Sequence, residues 1–270
     1  MTLTHISLSI DEKNALRACA HKMADAARAV ILPLFRSGLV SDNKDASGFD
    51  PVTEADRAAE QAMRAVLAEM RPADGVLGEE FGTSHGTSGL QWVLDPIDGT
   101  RGFISGTPTW GVLVSIRDAG GPIYGLIDQP YIGERFEGGF GHAELNGPMG
   151  RRALGTTATK ELNEATILTT FPEVGTTQDR AGFEAVAVQC KLARYGMDCY
   201  GYALLAAGQV DLVVEAGLSA YDIQAPIAVV EASGGIVTDW IGGPAHEGGR
   251  AVAAANVQIH ARALEILAGF

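Results

Sequence analysis

The sequence predicts an α/β (α+β) protein built as one compact body of two subdomains. Three observations carry that expectation. Near the N-terminus, apolar residues recur at spacings of three and four, the period of a buried helical face. The middle switches to short β-branched runs divided by Gly and Pro clusters. The last third alternates strand-like and helix-like segments, as an α/β sheet requires.

The elements follow in chain order. Ser9 and Glu12 form a capping box. Leu16, Cys19, Met23, Ala27, Val30 and Leu34 then mark one helical face, which Gly38 is expected to end. Ser41 to Phe49 is polar and reads as a loop. A second helix starts at Thr53, capped with Asp56 and lined by Ala59, Met63, Val66 and Met70, with Pro72 just beyond it. Residues 92–94, 112–116 and 123–127 read as strands, and Asn146-Gly147 is a hairpin-turn signal. Further on, strands are expected at 165–170, 212–215 and 236–238. Helices are expected at 179–190, 200–207, 222–233 and 257–267. A soft join near Gly147 to Gly155 divides residues 1–150, α+β and bearing most candidate ligands, from residues 151–270, α/β.

A chain of 270 residues buries a full core without disulfide staples. Cys19, Cys190 and Cys199 form no C-x-x-C pair, so they read as reduced, partly buried thiols of a cytoplasmic protein. No signal peptide and no eighteen-residue apolar run is visible, so no membrane partner is expected. With 33 acidic against 20 basic residues the net charge is −13, which argues against gripping nucleic acid or an anionic membrane. Phosphate chemistry stays open, because bound cations reverse a local field.

Several motifs fail. Neither G-x-G-x-x-G nor G-x-x-x-x-G-K-[ST] occurs where it would bind a nucleotide. Gly82-Thr83-Ser84-His85-Gly86 matches G-x-S-x-G, but a turn rather than a helix follows, so it reads as a surface loop. No histidine spacing suits zinc.

Three acidic patches stand beside apolar strand ends: Gly78-Glu79-Glu80, Asp95-Pro96-Ile97-Asp98-Gly99-Thr100 and Tyr221-Asp222. Pro96 biases Asp95 away from helix, so the chain is expected to turn sharply and bring Asp98 to the side of Asp95, with the Ile97 carbonyl between. Carboxylates about 4 Å apart repel by about 4 kcal/mol at an effective dielectric near 20, so gathering several favours a divalent cation. An all-oxygen ligand set selects Mg²⁺, Mn²⁺ or Ca²⁺ over Zn²⁺. Each patch also has an ordinary reading: Asp before Gly is a turn residue, Asp222 an N-terminal helix cap, Glu79-Glu80 a solvated loop. Their joint position favours a site, since open α/β sheets bind ligands at strand ends.

On these residues the sequence resembles the inositol monophosphatase superfamily of Mg²⁺-dependent phosphomonoesterases, over nearly the whole chain. Lys44 with Asp50-Pro51-Val52-Thr53-Glu54-Ala55-Asp56, Gly78-Glu79-Glu80, residues 95–100 and Tyr221-Asp222 match its four motifs, with Tyr221 in place of Trp. Pro226 is expected in the first turn of its helix, where it is tolerated. Arg101 to Gly111, Gly196 to Tyr200 and Glu215 to Leu218 look most like the histidinol-phosphatase branch. The resemblance implies a layered αβαβα sandwich and a homodimer. It implies two or three Mg²⁺ ions, with Mn²⁺ as a substitute and inhibition by lithium. Glu79, Asp95 and the Ile97 carbonyl would hold one ion. Asp95, Asp98 and Asp222 would hold a second, with Glu79 reaching a third through water. Thr100 supported by Asp50 would orient the attacking water, and Gly99 and Thr100 N–H groups would receive phosphate. Arg101, Arg194, Asp198 and Glu215 would face the substrate, where Asp198 and Glu215 also read as ordinary structural acids. The expected substrate is a small phosphate monoester, L-histidinol phosphate first. Inositol 1-phosphate, 3′-phosphoadenosine 5′-phosphate or a non-catalytic binding module are the alternatives.

Overall fold

The computed structural model describes residues 5–38, 42–43, 51–171, 173 and 175–270. Lys44 and Asp50 lie outside the described residues. Helix α1 (Ile10–Ile31) opens on the Ser9–Glu12 capping box and buries Leu16, Cys19, Met23, Ala27 and Ile31. It ends seven residues before Gly38: Pro33 has no N–H to continue the ladder, and Leu34 and Phe35 close back on Ile31 O at 2.9 and 3.1 Å. Two short strands, β1 (Asp42–Asn43) and β2 (Pro51–Val52), pair antiparallel, so part of the expected polar loop is paired. Helix α2 (Glu54–Met70) opens on the Thr53–Asp56 capping box.

Strands β3 (Gly75–Gly78), β4 (Gly82–Ser84), β5 (Gln91–Asp98), β6 (Gly111–Asp118), β7 (Gly121–Gln129), β8 (Glu134–Gly139), β9 (His142–Gly147) and β10 (Gly150–Ala153) form one sheet, ordered β10-β9-β8-β7-β6-β5-β3-β4. A short helix α3 (Thr100–Ser105) interrupts it between β5 and β6. The Gly82–Ser84 decoy is the antiparallel edge strand beside β3, and no nucleophile elbow forms there. The β9–β10 hairpin turns at Pro148-Met149, two residues past the Asn-Gly signal, because Gly147 and Gly150 are the closing pair. The fixed φ of Pro148 suits the first corner of such a turn.

The second sheet holds β11 (Thr166–Thr169), β12 (Leu192–Tyr195), β13 (Leu212–Leu218), β14 (Ile236–Thr238) and β15 (Gly249–Ala254), ordered β12-β11-β13-β15-β14. Helices α4 (Thr177–Ala187), α5 (Cys199–Ala206), α6 (Ala220–Ala232) and α7 (Val257–Leu267) complete the chain. The layers run α1/α2, eight-stranded sheet, α5/α6, five-stranded sheet, α4/α7, an αβαβα stack. Helix α6 is apolar nearly all round, with Ile223 to Val230 buried, because both its faces meet a sheet. Pro226 therefore lies in the interior of α6, not its first turn. Lacking an N–H, it leaves the Asp222 carbonyl without its usual i+4 donor.

Among the described residues the core comprises three clusters, one beneath α1/α2, one between the sheets and one beneath α4/α7. Asp128 is fully buried and tolerable there because Arg28 and Arg135 meet it at 2.6 and 2.7 Å, tying α1 to the large sheet. Among the described residues the three cysteines are free, Cys19 and Cys199 buried and Cys190 partly so. No helix of the described residues is long and apolar enough to cross a membrane.

Candidate active site

The site begins with a fault in strand register. Asp95 pairs with Leu113, yet Asp98 pairs with Gly111, so β5 carries one residue more than β6 across this stretch. In a regular strand, residues three apart face opposite sides. One inserted residue reverses the alternation and turns Asp95 and Asp98 toward the same side. The sequence predicts a sharp turn at Pro96; instead β5 runs on through a bulge. Pro96 sits inside the bulge, where a missing ladder donor costs little.

Gly99 follows with φ +85°, a left-handed conformation that favours glycine and starts α3. Asp198 packs against it, so any Cβ there would fall 2.7 Å from the Asp198 Cγ. The Thr100 hydroxyl donates to the Ile97 carbonyl at 3.1 Å and to Asp56 Oδ1 at 3.4 Å. In the sequence Asp56 reads as a helix cap and as the last residue of the Asp50–Asp56 motif, with no role in the site assigned to it. Its Oδ2 does cap α2, accepting from Thr53 N at 2.8 Å, while Oδ1 reaches the site. The D-x-V-T-x-x-D motif held that signal.

Strand β3 runs parallel to β5 with Gly78 opposite Leu94, and Glu79 N donates to Leu94 O at 3.2 Å. This register sets Glu79 beside Asp95. Gly78 is required by close approach, since a Cβ would overlap the Glu60 carboxylate. Buried Glu60, which no sequence pattern marked, shapes the Glu79 turn: its oxygens accept from Glu80 N at 2.6 Å and Phe81 N at 3.3 Å. Asp222 arrives from α6, where its Oδ2 accepts from Ser219 N at 2.7 Å. The capping reading and the site reading of Asp222 thus hold together.

Asp95, Asp98 and Asp222 each offer an oxygen, all within 4.8 Å of one another. Asp95 is 1% exposed, and its Oδ1 meets no hydrogen-bond partner among the described residues. Burial, then Glu79, Asp98, Asp222 and Asp56, push its carboxyl well above the usual range. Burial, then Asp198 and Asp222, push Asp98 up as well, against a 2.6 Å hydrogen bond from Cys199 N. A buried carboxylate with one oxygen unpartnered among the described residues, in a triad of three carboxylates, fits a hard divalent cation.

Beside the triad lies a cavity of about 380 Å³, lined by Thr100, Arg101, Thr170, Phe171, Gly196 and Asp198 among others. Asp198 holds φ +48° there, and burial raises its carboxyl while Thr109 and Arg101 act to lower it. The Arg101 guanidinium lies 4.8 Å from the centroid of the Phe171 ring. Glu215 is 4% exposed, its carboxylate bound by Thr169 and Thr170, and burial pushes it up to about 7. Arg194 stands exposed on edge strand β12 and is not among the lining residues. The structure thus gathers Glu79, Asp95, Ile97, Asp98, Gly99, Thr100 and Asp222 at one place. Arg101 and Asp198 line the cavity beside it, Glu215 binds Thr170 of the cavity wall, and Arg194 is not among the lining residues.

Comparison with known proteins adds to this geometry. The chain is 38% identical over 272 residues to the bifunctional phosphatase IMPL2, chloroplastic, of Arabidopsis thaliana, covering 96% of this chain and 77% of that protein. It is 35% identical over 249 residues to the histidinol-phosphatase of Streptomyces coelicolor, covering 89% and 92% of the two chains. The solved inositol monophosphatase of Zymomonas mobilis superposes with a TM-score of 0.84 at 38% identity, covering 97% of this chain and 100% of that one. Residues 12–268 match the family model itself, and the chain belongs to the inositol monophosphatase family.

Proposed function

We propose that the protein is a metal-dependent phosphomonoesterase that hydrolyses a small phosphate ester by attack of water. The observation that carries this is the Asp95–Asp98–Asp222 triad with its orphaned Asp95 oxygen, set at a strand bulge beside a cavity. Asp95, Asp98 and Asp222, with Glu79 and the Ile97 carbonyl, would hold Mg²⁺. Such ions supply charge neutralisation of the phosphoryl oxygens and acidification of the attacking water. The chain's own groups do the rest. The Thr100 hydroxyl, held between Ile97 O and Asp56, orients that water. Asp50 is proposed to assist it. The N–H groups of Gly99 and Thr100 receive the phosphate. The ester's organic part enters the cavity between Arg101, Phe171 and Asp198.

For the substrate, membership of the family and the likeness to the Zymomonas mobilis enzyme support an inositol phosphate. A second reading, L-histidinol phosphate, rests on the Asp198 carboxylate in the cavity, suited to a cationic leaving group, and on relatives named histidinol-phosphatase. Phosphate release from inositol 1-phosphate, histidinol phosphate and 3′-phosphoadenosine 5′-phosphate, with and without Mg²⁺, tests both levels. The expected result is Mg²⁺-dependent release from one of the first two. No metal-dependent release from any ester would sink the proposal, and preference for the nucleotide would move the substrate.

A further inference from the structure

We infer that Arg36 is a positioning residue: from the turn after α1 it grips the carbonyl that ends α3, and so holds in place the side of the cavity that α3 builds. The kinetic part of this inference rests on the proposed function; the structural part does not.

Helix α3 has six residues, too few to persist in water by themselves, so its place is set by what surrounds it. Gly99, Thr100, Arg101, Gly102, Ser105 and Thr107, in and around this helix, line one side of the cavity. The start of α3 is tied to the β5 bulge, where the Thr100 hydroxyl meets Ile97 O and Asp56. Its middle is anchored by Phe103, which is 3% exposed and packs on Phe35 and Trp110 at 5.3 and 5.1 Å between ring centroids. Its end is Gly106, in the left-handed conformation at φ +75°. The Gly106 carbonyl accepts from Arg36 Nε at 3.0 Å and from Arg36 Nη2 at 2.7 Å. A cation at this end also meets the negative pole of the helix.

The Arg36 guanidinium is itself held. Its Nη1 donates to the Tyr131 hydroxyl at 2.8 Å, in the turn between β7 and β8. It lies 4.9 Å from the centroid of the Phe35 ring and 4.7 Å from that of Tyr131, within reach of a cation–π attraction to both. One side chain thus joins the turns that follow α1, α3 and β7. The backbone supplies an independent sign. Arg36 has φ +59°, a left-handed conformation that costs free energy for a residue with a Cβ and that glycine adopts freely. The turn alone is better served by glycine. What arginine adds there is the grip on Gly106 and Tyr131, and strain kept at such a position points to a use for the side chain.

The test joins hydrogen exchange at the Gly106 amide, which donates to Phe103 O at 3.1 Å, with steady-state kinetics at pH 8 on the metal-loaded protein and its preferred ester. Arg36→Gly relieves the strain as it removes the grip, so Tm should stay within about 2 °C of the parent. Exchange at Gly106 should nevertheless accelerate at least about fivefold. KM should rise about fivefold with kcat within about twofold, the scale of a charge-assisted hydrogen bond near the surface. Arg36→Lys keeps the charge and one donor, and should recover part of both effects. Tyr131→Phe removes the hydroxyl that holds Nη1 and should raise KM by less. The Arg36→Gly/Tyr131→Phe double variant should be no worse than Arg36→Gly. Unchanged exchange at Gly106 in Arg36→Gly, or additive effects in the double variant, would overturn the inference and leave Arg36 a turn residue. If Arg36→Gly does not fold by circular dichroism, Arg36→Lys and Tyr131→Phe carry the same comparison. Absence of phosphate release by the unaltered protein would refute the proposed function alone, since exchange at Gly106 still decides whether Arg36 holds α3.

Discussion

Replacing Asp95 by Asn tests the acidic cluster in two opposite directions. In the metal-free protein, Asp95 is buried with one oxygen unpartnered among the described residues, and one of its oxygens lies within 4.8 Å of an oxygen of Asp98 and of Asp222. Two ionised carboxylates at that distance repel by about 3 kcal/mol at an effective dielectric of 20. Asn is nearly isosteric and removes that repulsion, but its amide brings a buried donor that costs about 1–3 kcal/mol if unpaired. At pH 8 the net effect should be a gain of about 1 kcal/mol, raising the metal-free Tm by about 2 °C. With Mg²⁺ the order reverses. An ion present at about 100 times its Kd stabilises by about 2.7 kcal/mol, so the unaltered protein should gain about 5 °C and the variant nothing. Phosphate release should fall by about 10³-fold or more, since removing a metal ligand forfeits several kcal/mol of transition-state charge stabilisation. Differential scanning calorimetry with and without Mg²⁺ reads the first two effects, and a phosphate-release assay the third. A variant less stable than the parent without metal, or one that keeps the parent's Mg²⁺ shift, would refute the reasoning.

Two further outcomes follow from the same geometry. Gly78→Ala places a Cβ on the Glu60 carboxylate, so it should destabilise by about 2 kcal/mol or more in urea unfolding; an unchanged midpoint would contradict the close approach. The Glu215 carboxyl, raised by burial from 4.5 to about 7, favours folding below about pH 4.5, and that contribution is lost as pH rises through 7. Metal-free protein should lose up to about 3 kcal/mol from this group between those limits. Glu215→Gln should flatten that part of the urea-derived stability profile, and an identical slope in parent and variant would reject the assignment.

Much of the fold was legible because local signals agreed with tertiary need. The capping boxes at Ser9 and Thr53, and the bounds of the last helix at Val257 and Leu267, are written in residues a few positions apart. Strand β15 and the edge strands β4 and β12 were not legible. Their short runs, rich in Gly, Ala and polar residues, become strands only because neighbouring strands supply partners. Pro226 misled for a related reason: propensity places proline at helix starts, whereas α6 is held by burial on both faces.

The acidic residues and their ligand chemistry are plain from the chain alone. Glu79, Asp95, Asp98 and Asp222, all oxygen donors beside apolar runs, mark a candidate site for hard cations. How those charges meet depends on long-range packing. A one-residue bulge turns Asp95 and Asp98 to one side, a parallel register sets Glu79 next to Asp95, and α6 delivers Asp222 from more than a hundred residues away. The structure also gave Asp56 its second partner, Thr100, and closed the Glu215 carboxylate around Thr169 and Thr170. The division has a physical cause. Which ion a residue can hold depends on its own atoms, whereas distance, burial and hydrogen-bond saturation belong to pairs of residues that only long-range packing brings together.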